Sequence, residues 1–265
     1  MFKEKDFVLL IDTKGRKYVF KLQQGGVFSY HKGQVAHESI INKEEGIIIH
    51  SSLNEKLIAL KPTLAEFVLY KLKRGGQIIY PKDIGQILVL LDIFPGARVL
   101  ECGCGSGALT LFLLRMVGEN GKVVAVDIRE DMIEVAKQNI ENFYNKPIEE
   151  IKNLQIIQLD FKQGINDKNF DRVIVDISDP WEVLENVYSV LSASGIVSFW
   201  LPTVLQVFSL VDKLEKEYKD KFYLQGIYET FQRHWEKKEL SLRPAHRMVA
   251  HTGFLIVCEK LSIVG

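Results

Sequence analysis

The stretch Val99-Leu100-Glu101-Cys102-Gly103-Cys104-Gly105-Ser106-Gly107-Ala108 constrains this chain more than any other part of it. A short apolar run enters three glycines at alternate positions, and a run of helical period leaves them. Glycine lets the backbone turn sharply and approach a ligand with no Cβ in the way. The helix behind the turn points its unpaired N–H groups at whatever binds there. Asp127 lies 20 residues past Gly107, at the end of the next apolar run, Lys122 to Asp127. A carboxylate in that place can accept hydrogen bonds from ribose hydroxyls. Strand, glycine turn, helix, strand and acid, in that order, specify a nucleotide-binding half of a Rossmann-like sheet.

The rest of the chain extends this pattern. A helix is expected from Pro81 to about Asp92, and further helices at Ala108 to Val117, Asp131 to Asn142, Trp181 to Leu191 and Val204 to Tyr218. Strands are expected at Arg98 to Glu101, Lys122 to Asp127, Leu154 to Gln158, Arg172 to Asp176 and Gly195 to Leu201. Such alternation specifies a parallel sheet with helices on both faces. Phe222 to Trp235 and Met248 to Glu259 read as two long strands that add an antiparallel hairpin at one edge. Before residue 77 the pattern is different: short strands around residues 7–11, 17–22, 46–50 and 57–60, then a helix from Thr63 to Lys73 ending at Arg74-Gly75-Gly76. The expected fold is therefore α/β, a Rossmann-like sheet over residues 77–265 preceded by a small β-rich domain over residues 1–76.

Composition excludes several classes. No apolar run approaches the roughly 18–20 residues of a membrane span. The opening Met1-Phe2-Lys3-Glu4-Lys5-Asp6 carries acids and leads into a strand rather than a signal peptide, so a cytoplasmic location is expected. Cys102, Cys104 and Cys258 offer neither a paired disulfide framework nor a second pair for zinc, and no metal is expected. Net charge is zero, but residues 1–90 hold 14 Lys and Arg against 9 acids, while residues 91–200 hold 10 against 17. That distribution permits a nucleic-acid partner without arguing for one.

The spacing Gly103-x-Gly105-x-x-Ala108 also satisfies the dinucleotide fingerprint. Only the first half of the sheet carries a glycine loop, however, and Glu101 would face a pyrophosphate with the wrong sign. A sulfonium amino acid with a free ammonium group suits that carboxylate, which favours S-adenosylmethionine as the cofactor.

Four stretches carry a resemblance to a known family: Tyr80-Pro81-Lys82-Asp83, Glu101 to Thr110, Asp176-Ile177-Ser178-Asp179-Pro180-Trp181-Glu182, and His246-Arg247-Met248-Val249-Ala250-His251-Thr252-Gly253-Phe254. With Gly33-x-x-x-His37, Ile40-Ile41 and Glu45-Gly46, they resemble the tRNA (adenine-N1)-methyltransferases that modify adenine 58 of the T-loop. The resemblance implies a class I methyltransferase sheet, tRNA as partner and a homotetramer. It implies that Asp176 is the catalytic acid and that Tyr80 lines the adenine pocket. Glu101, Gly103, Gly105, Ser106, Gly107, Ala108, Leu109, Asp127, Asp160 and Asp176 would then surround the cofactor. Cys102 and Cys104 stand where small residues or Thr are usual, and Asp127 is shorter than the usual Glu.

The chemistry agrees with that transfer. Adenine N1 has a free lone pair at neutral pH, so no strong base is needed. Methylation leaves a positive charge on the ring, which a carboxylate at the Watson–Crick edge stabilises as it develops. The base must leave the folded T-loop, with an aromatic wall such as Tyr80 or Trp181 to receive it. Asp179, just before Pro180, suits a helix cap better than Asp176 does. Arg233-His234-Trp235 and His246-Arg247 read equally as RNA contacts or as a solvated hairpin, and His251 as a buried, satisfied histidine. The remaining alternatives are a methyltransferase acting on a protein or small molecule, and a non-catalytic tRNA-binding subunit.

Overall fold

The computed structural model describes residues 1–262. They form two compact units, Met1–Lys73 with Glu141–Lys146, and Arg74–Ile140 with the remainder from Pro147.

In the first unit β1 (Phe7–Asp12), β2 (Lys17–Lys21), β5 (Ile47–His50) and β6 (Lys56–Leu60) make an antiparallel sheet in the order β2-β1-β6-β5. Between them β3 (Val27–Tyr30) and β4 (Gly33–Ala36) pair as a separate hairpin that the sequence pattern does not announce. The inward residues Val8, Leu10, Leu22, Ile40, Leu57 and Ala59 are fully buried and form its core. Helix α1 (Leu64–Tyr70) starts on a capping box: Thr63 Oγ1 accepts from the Glu66 backbone N–H, and Glu66 accepts from that of Thr63. Two of the first turn's orphan donors are met this way.

The second unit is built on seven strands: β7 (Arg98–Cys102), β8 (Lys122–Asp127), β9 (Leu154–Gln158), β10 (Phe170–Val175), β11 (Leu191–Leu201), β12 (Phe222–Glu229) and β15 (Phe254–Lys260). Their order is β12-β15-β11-β10-β7-β8-β9, and β15 alone runs antiparallel to its neighbours. Helices α2 (Pro81–Leu90), α3 (Ala108–Val117), α4 (Glu130–Tyr144), α5 (Leu184–Val190) and α6 (Val204–Glu217) connect them. Val123 to Val126 and Val173 to Val175 are continuous buried runs, as a sheet covered on both faces requires. The chain departs from β7 towards β8 on one side and from β10 towards β11 on the other. The carboxyl ends of β7 and β10 therefore flank the switch point at which open α/β sheets bind ligands.

Two sequence expectations need correction. The helix expected at Trp181–Leu191 is a 3-10 turn, Pro180–Glu182, followed by α5, and Leu191 already belongs to β11. The two long terminal strands are shorter than expected, and the segment between them forms its own hairpin, β13 (Trp235–Lys238) with β14 (Ser241–Pro244). As expected, β12 and β15 add an antiparallel pair at one edge of the sheet. Leu255, Ile256, Val257 and Cys258 form an unbroken buried run, so β15 inserts between β11 and β12 and leaves the alternating, half-exposed β12 outermost.

Candidate active site

The glycine turn joins β7 to α3. Gly103 has φ +89°, and a Cβ there would lie 2.1 Å from the Asp176 carbonyl oxygen, so the loop is pressed against the end of β10. Gly105 has φ +51°, and a Cβ placed on it would meet nothing within 4 Å, so its backbone borders open space. Gly107 caps α3 and lies against Ala136 of α4, 3.3 Å from where its own Cβ would be. Backbone bonds seat the loop on β8: the N–H groups of Gly103 and Cys104 both donate to the Val126 carbonyl.

Three carboxyl groups surround this turn. Glu101 is 2% exposed, and its Oε2 accepts from Thr110 Oγ1 at 2.6 Å, across the turn from α3. Burial drives its carboxyl up to about 8, against the Thr110 hydrogen bond and with help from Asp176 and Asp127. Asp127 ends β8, and its two oxygens accept from the backbone N–H groups of Gly105 (2.9 Å) and Arg129 (3.0 Å). Its shorter side chain is thereby fixed to the loop itself. Asp176 follows β10, its N–H bonded to the Cys102 carbonyl at 2.8 Å. Burial, with the nearby Asp127 charge, pushes its carboxyl up to about 7. Among the described residues its side chain has no hydrogen-bond partner.

No cation pairs with any of these three acids among the described residues. A pyrophosphate would add to their mutual repulsion, whereas a ligand carrying an ammonium and a sulfonium relieves it. The Ser106 hydroxyl is buried with no partner, a polar atom for which such a ligand supplies one, while Asn139 donates to the Ser106 carbonyl from α4. The residues present therefore fit S-adenosylmethionine. Ala108 and Leu109, also expected at the cofactor, are buried in the first turn of α3.

The other expected residues are placed as follows. Asp160 lies just beyond β9 and caps the turn Phe161–Gln163 by accepting from the Lys162 N–H. Its neighbour Leu159 bonds to the Asp127 carbonyl, which sets it beside the acid on β8. Tyr80 is the half-buried N-cap residue of α2, with the Arg74 guanidinium 5.8 Å from its ring centroid. No hydrogen bond joins it to Asp176. Trp181 packs against the core of the sheet. Asp179 does not cap the turn that follows it and instead accepts from the Ser178 hydroxyl. The thiols of Cys102, Cys104 and Cys258 are buried and raised in pKa, chiefly by burial, and remain protonated.

One group of residues was missed. Lys82 and Asp83, side chains 8% and 1% exposed, form an ion pair at 2.7 Å. Lys82 Nζ also donates to Thr252 Oγ1, 170 residues away, at 2.7 Å, and Thr252 donates in turn to Asp83 Oδ2 at 2.8 Å. The two stretches Tyr80 to Asp83 and His246 to Phe254, far apart in the chain, are thus parts of one structure. His251, expected to be buried, is 46% exposed and donates to Glu229 and to the Pro202 carbonyl.

Sheet order, glycine loop and acid set together define a class I S-adenosylmethionine-dependent methyltransferase. Known structures of similar fold include a SAM-dependent O-methyltransferase from Thermotoga maritima (TM-score 0.91, 29% identity, 100% of this chain and 96% of that one). Another is the tRNA (m1A58) methyltransferase TrmI from Aquifex aeolicus (TM-score 0.85, 32% identity, 99% of both chains). The family model for the tRNA methyltransferase complex GCD14 subunit matches residues 57–242, and a TrmI-like N-terminal model matches residues 1–49. A tRNA (adenine(58)-N(1))-methyltransferase TrmI of Thermus thermophilus is 36% identical over 96% of both chains. The tRNA (adenine(57)-N(1)/adenine(58)-N(1))-methyltransferase TrmI of Methanocaldococcus jannaschii is 33% identical over 95% of this chain and 94% of its own. The chain belongs to the GCD14/TrmI family of tRNA (adenine-N1)-methyltransferases.

Proposed function

We propose that this enzyme transfers a methyl group from S-adenosylmethionine to N1 of adenine 58 in the T-loop of tRNA, with Asp176 receiving the adenine. The observation that carries the residue assignment is the Asp176 carboxyl, which stands beside the glycine loop with no hydrogen bond inside the described chain. Glu101 would hold the donor's ammonium group. Asp127 would take its ribose hydroxyls, with Ser106 and the loop N–H groups beside it and Asp160 near the adenine ring. The bound donor supplies an electrophilic methyl group on a cationic sulfur.

Asp176 needs no proton from N1. Its carboxylate accepts from the exocyclic amine, fixing the ring so that N1 lies on the line of transfer. As the bond forms the purine gains a positive charge, and the fixed carboxylate stabilises it. Burial raises this carboxyl to about 7 in the free enzyme, and the donor's cationic sulfur favours its ionised form. Tyr80 would form one wall of the adenine pocket. In this reading residues 1–76 serve as an RNA-binding or oligomer-contact domain, the enzyme is a homotetramer, and it works in the cytoplasm.

The deciding experiment incubates the protein with labelled S-adenosylmethionine and unmodified tRNA transcript, and maps the product nucleoside for wild type and Asp176→Ala. Label in 1-methyladenosine of the T-loop, largely lost in the variant, supports both the reaction and the role of Asp176. The similarity to an O-methyltransferase favours a second reading, an oxygen acceptor in place of adenine N1. Donor binding with no labelled tRNA would favour that reading and sink the first.

A further inference from the structure

Helix α2 is tied down at both ends. At its first turn the Lys82 ammonium donates to Asp83 Oδ1 at 2.7 Å, to Thr252 Oγ1 at 2.7 Å and to the Thr230 carbonyl at 2.6 Å, so all three of its protons are used. Thr252 donates in turn to Asp83 Oδ2 at 2.8 Å, which closes a buried ring. At its last turn the Leu91 carbonyl accepts from Arg172 Nε. Thr230 directly follows β12 and Thr252 stands just before β15, so the ring lies at the edge of the sheet where the parallel strands end. Arg172 lies near the start of β10, at the opposite edge.

The helix therefore crosses the sheet from the start of β10 to the edge at which Asp176 ends that strand. Tyr80 to Leu91 rises ~16 Å as helix, and Arg172 to Asp176 rises ~13 Å as strand. Measured from the Arg172–Leu91 bond, Tyr80 and Asp176 thus reach the same edge. Tyr80 has no freedom of its own there. Its carbonyl accepts from the N–H groups of Asp83 (2.8 Å) and Ile84 (2.9 Å), and Pro81 fixes the backbone that follows it. Where the first turn goes, Tyr80 goes. A buried ion pair adds little stability over apolar side chains of the same volume, and β15 is already paired on both sides without it. What the directional bonds of the ring settle is the place of that turn.

We infer that α2 is a strut whose Lys82–Asp83–Thr252 ring sets Tyr80 against the adenine, which makes these three residues positioning residues for the transfer. This rests on the tRNA methyltransferase reading above and on Tyr80 as a wall of the adenine pocket. Affinity for an RNA comes chiefly from its phosphates. The rate of transfer depends instead on the alignment of N1 with the methyl group, where a displacement of about 1 Å costs up to ~10²-fold. The ring accordingly acts on kcat.

The test compares Thr252→Val, which keeps the shape and removes the hydroxyl, with Thr252→Ser, which keeps the hydroxyl, each alone and combined with Tyr80→Ala. At saturating donor, Thr252→Val should lower kcat about tenfold, with KM for tRNA and donor affinity within about twofold, and Thr252→Ser should restore it. In the Tyr80→Ala background the same substitution should cost less than about twofold, because the group it misplaces is gone. A tenfold loss in both backgrounds overturns the inference, as does an unchanged kcat, a rise in KM alone, or a serine variant as impaired as the valine one. If Thr252→Val loses donor binding, Arg172→Lys loosens the other end of the strut and goes through the same cycle, with the same outcomes deciding. Amide hydrogen exchange at Asp83 and Ile84 reads the anchor without any substrate: faster in Thr252→Val and restored in Thr252→Ser, with unchanged exchange overturning it. If wild type fails to methylate tRNA, the functional reading falls, and the exchange data still decide whether the ring holds the turn.

Discussion

Gly103 and Asp176 meet backbone to backbone, with the Asp176 carbonyl oxygen 2.1 Å from the point a Gly103 Cβ would occupy. The cofactor loop and the acid at the end of β10 are thus held in register by the absence of a side chain. Gly103→Ala must push two strand ends apart and also place alanine at φ +89°. Gly105→Ala meets nothing within 4 Å and has φ +51°, which non-glycine residues adopt at a cost of about 1 kcal/mol. Gly103→Ala is therefore expected to lower the melting temperature sharply. Gly105→Ala should fold nearly as well as wild type and lose donor binding, because its methyl enters the space beside the loop. Thermal denaturation and donor titration separate the two; equal loss of stability in both would contradict this account.

Glu101 is ionised in the unfolded chain above its ordinary pKa of 4.5 but holds its proton to about 8 when folded. The folded state therefore binds more protons across that window, and this group lowers stability as pH rises through it. Glu101→Gln keeps an acceptor for Thr110 and carries no charge. The donor-free variant is expected to melt roughly 3–8 °C higher than wild type at pH 8, to show no such gain at pH 4, and to bind the donor far more weakly. A variant less stable than wild type at pH 8 would count against a destabilising buried acid.

Binding of a cationic donor beside Glu101 and Asp176 favours their ionised forms. At pH 7 the complex should release protons, and donor affinity should rise between pH 6 and pH 8. Calorimetry in buffers of different ionisation enthalpy reads the protons directly. Proton uptake, or none, would sink the assignment of the donor's charged groups to these acids.

Asp176→Ala should lower kcat at saturating donor by roughly 10²–10³-fold, the scale of one lost charge-stabilising group, and should also weaken donor binding at pH 8, where the carboxylate beside the donor is lost. In wild type kcat/KM for tRNA at saturating donor should climb with pH as this carboxyl ionises, with a midpoint below the value of about 7 of the donor-free enzyme because the donor's positive charge favours the carboxylate. The variant's profile should be flat there. A variant that kept the same ascending limb would show that another group titrates.

Local pattern reported what is locally caused. Lys122 to Asp127, Ala108 to Val117 and Leu154 to Gln158 have the bounds read from the sequence, since an apolar run between turn residues leaves little choice. The β3–β4 hairpin escaped because its strands are four residues each and alternate only weakly. The place of β15 inside the sheet escaped because order among strands is a tertiary property that no period encodes. For the site, the glycine turn and Asp127 were legible as a contiguous motif, and Asp176 only through resemblance to a family. The bond from Lys82 to Thr252 spans 170 positions, and nothing in either segment announces the other.

The insertion of β15 between β11 and β12 has a consequence for how the protein is made. Residues 254–260 supply the strand on which β12 depends for all its sheet pairing, and they leave the ribosome after every other strand of the unit. Until then the buried face of β11 towards β15 and the whole of β12 lie open, an edge of the kind that recruits wrong partners. Synthesis of the sheet therefore ends with its keystone, and a nascent chain halted before Phe254 presents a half-finished sheet rather than a smaller enzyme.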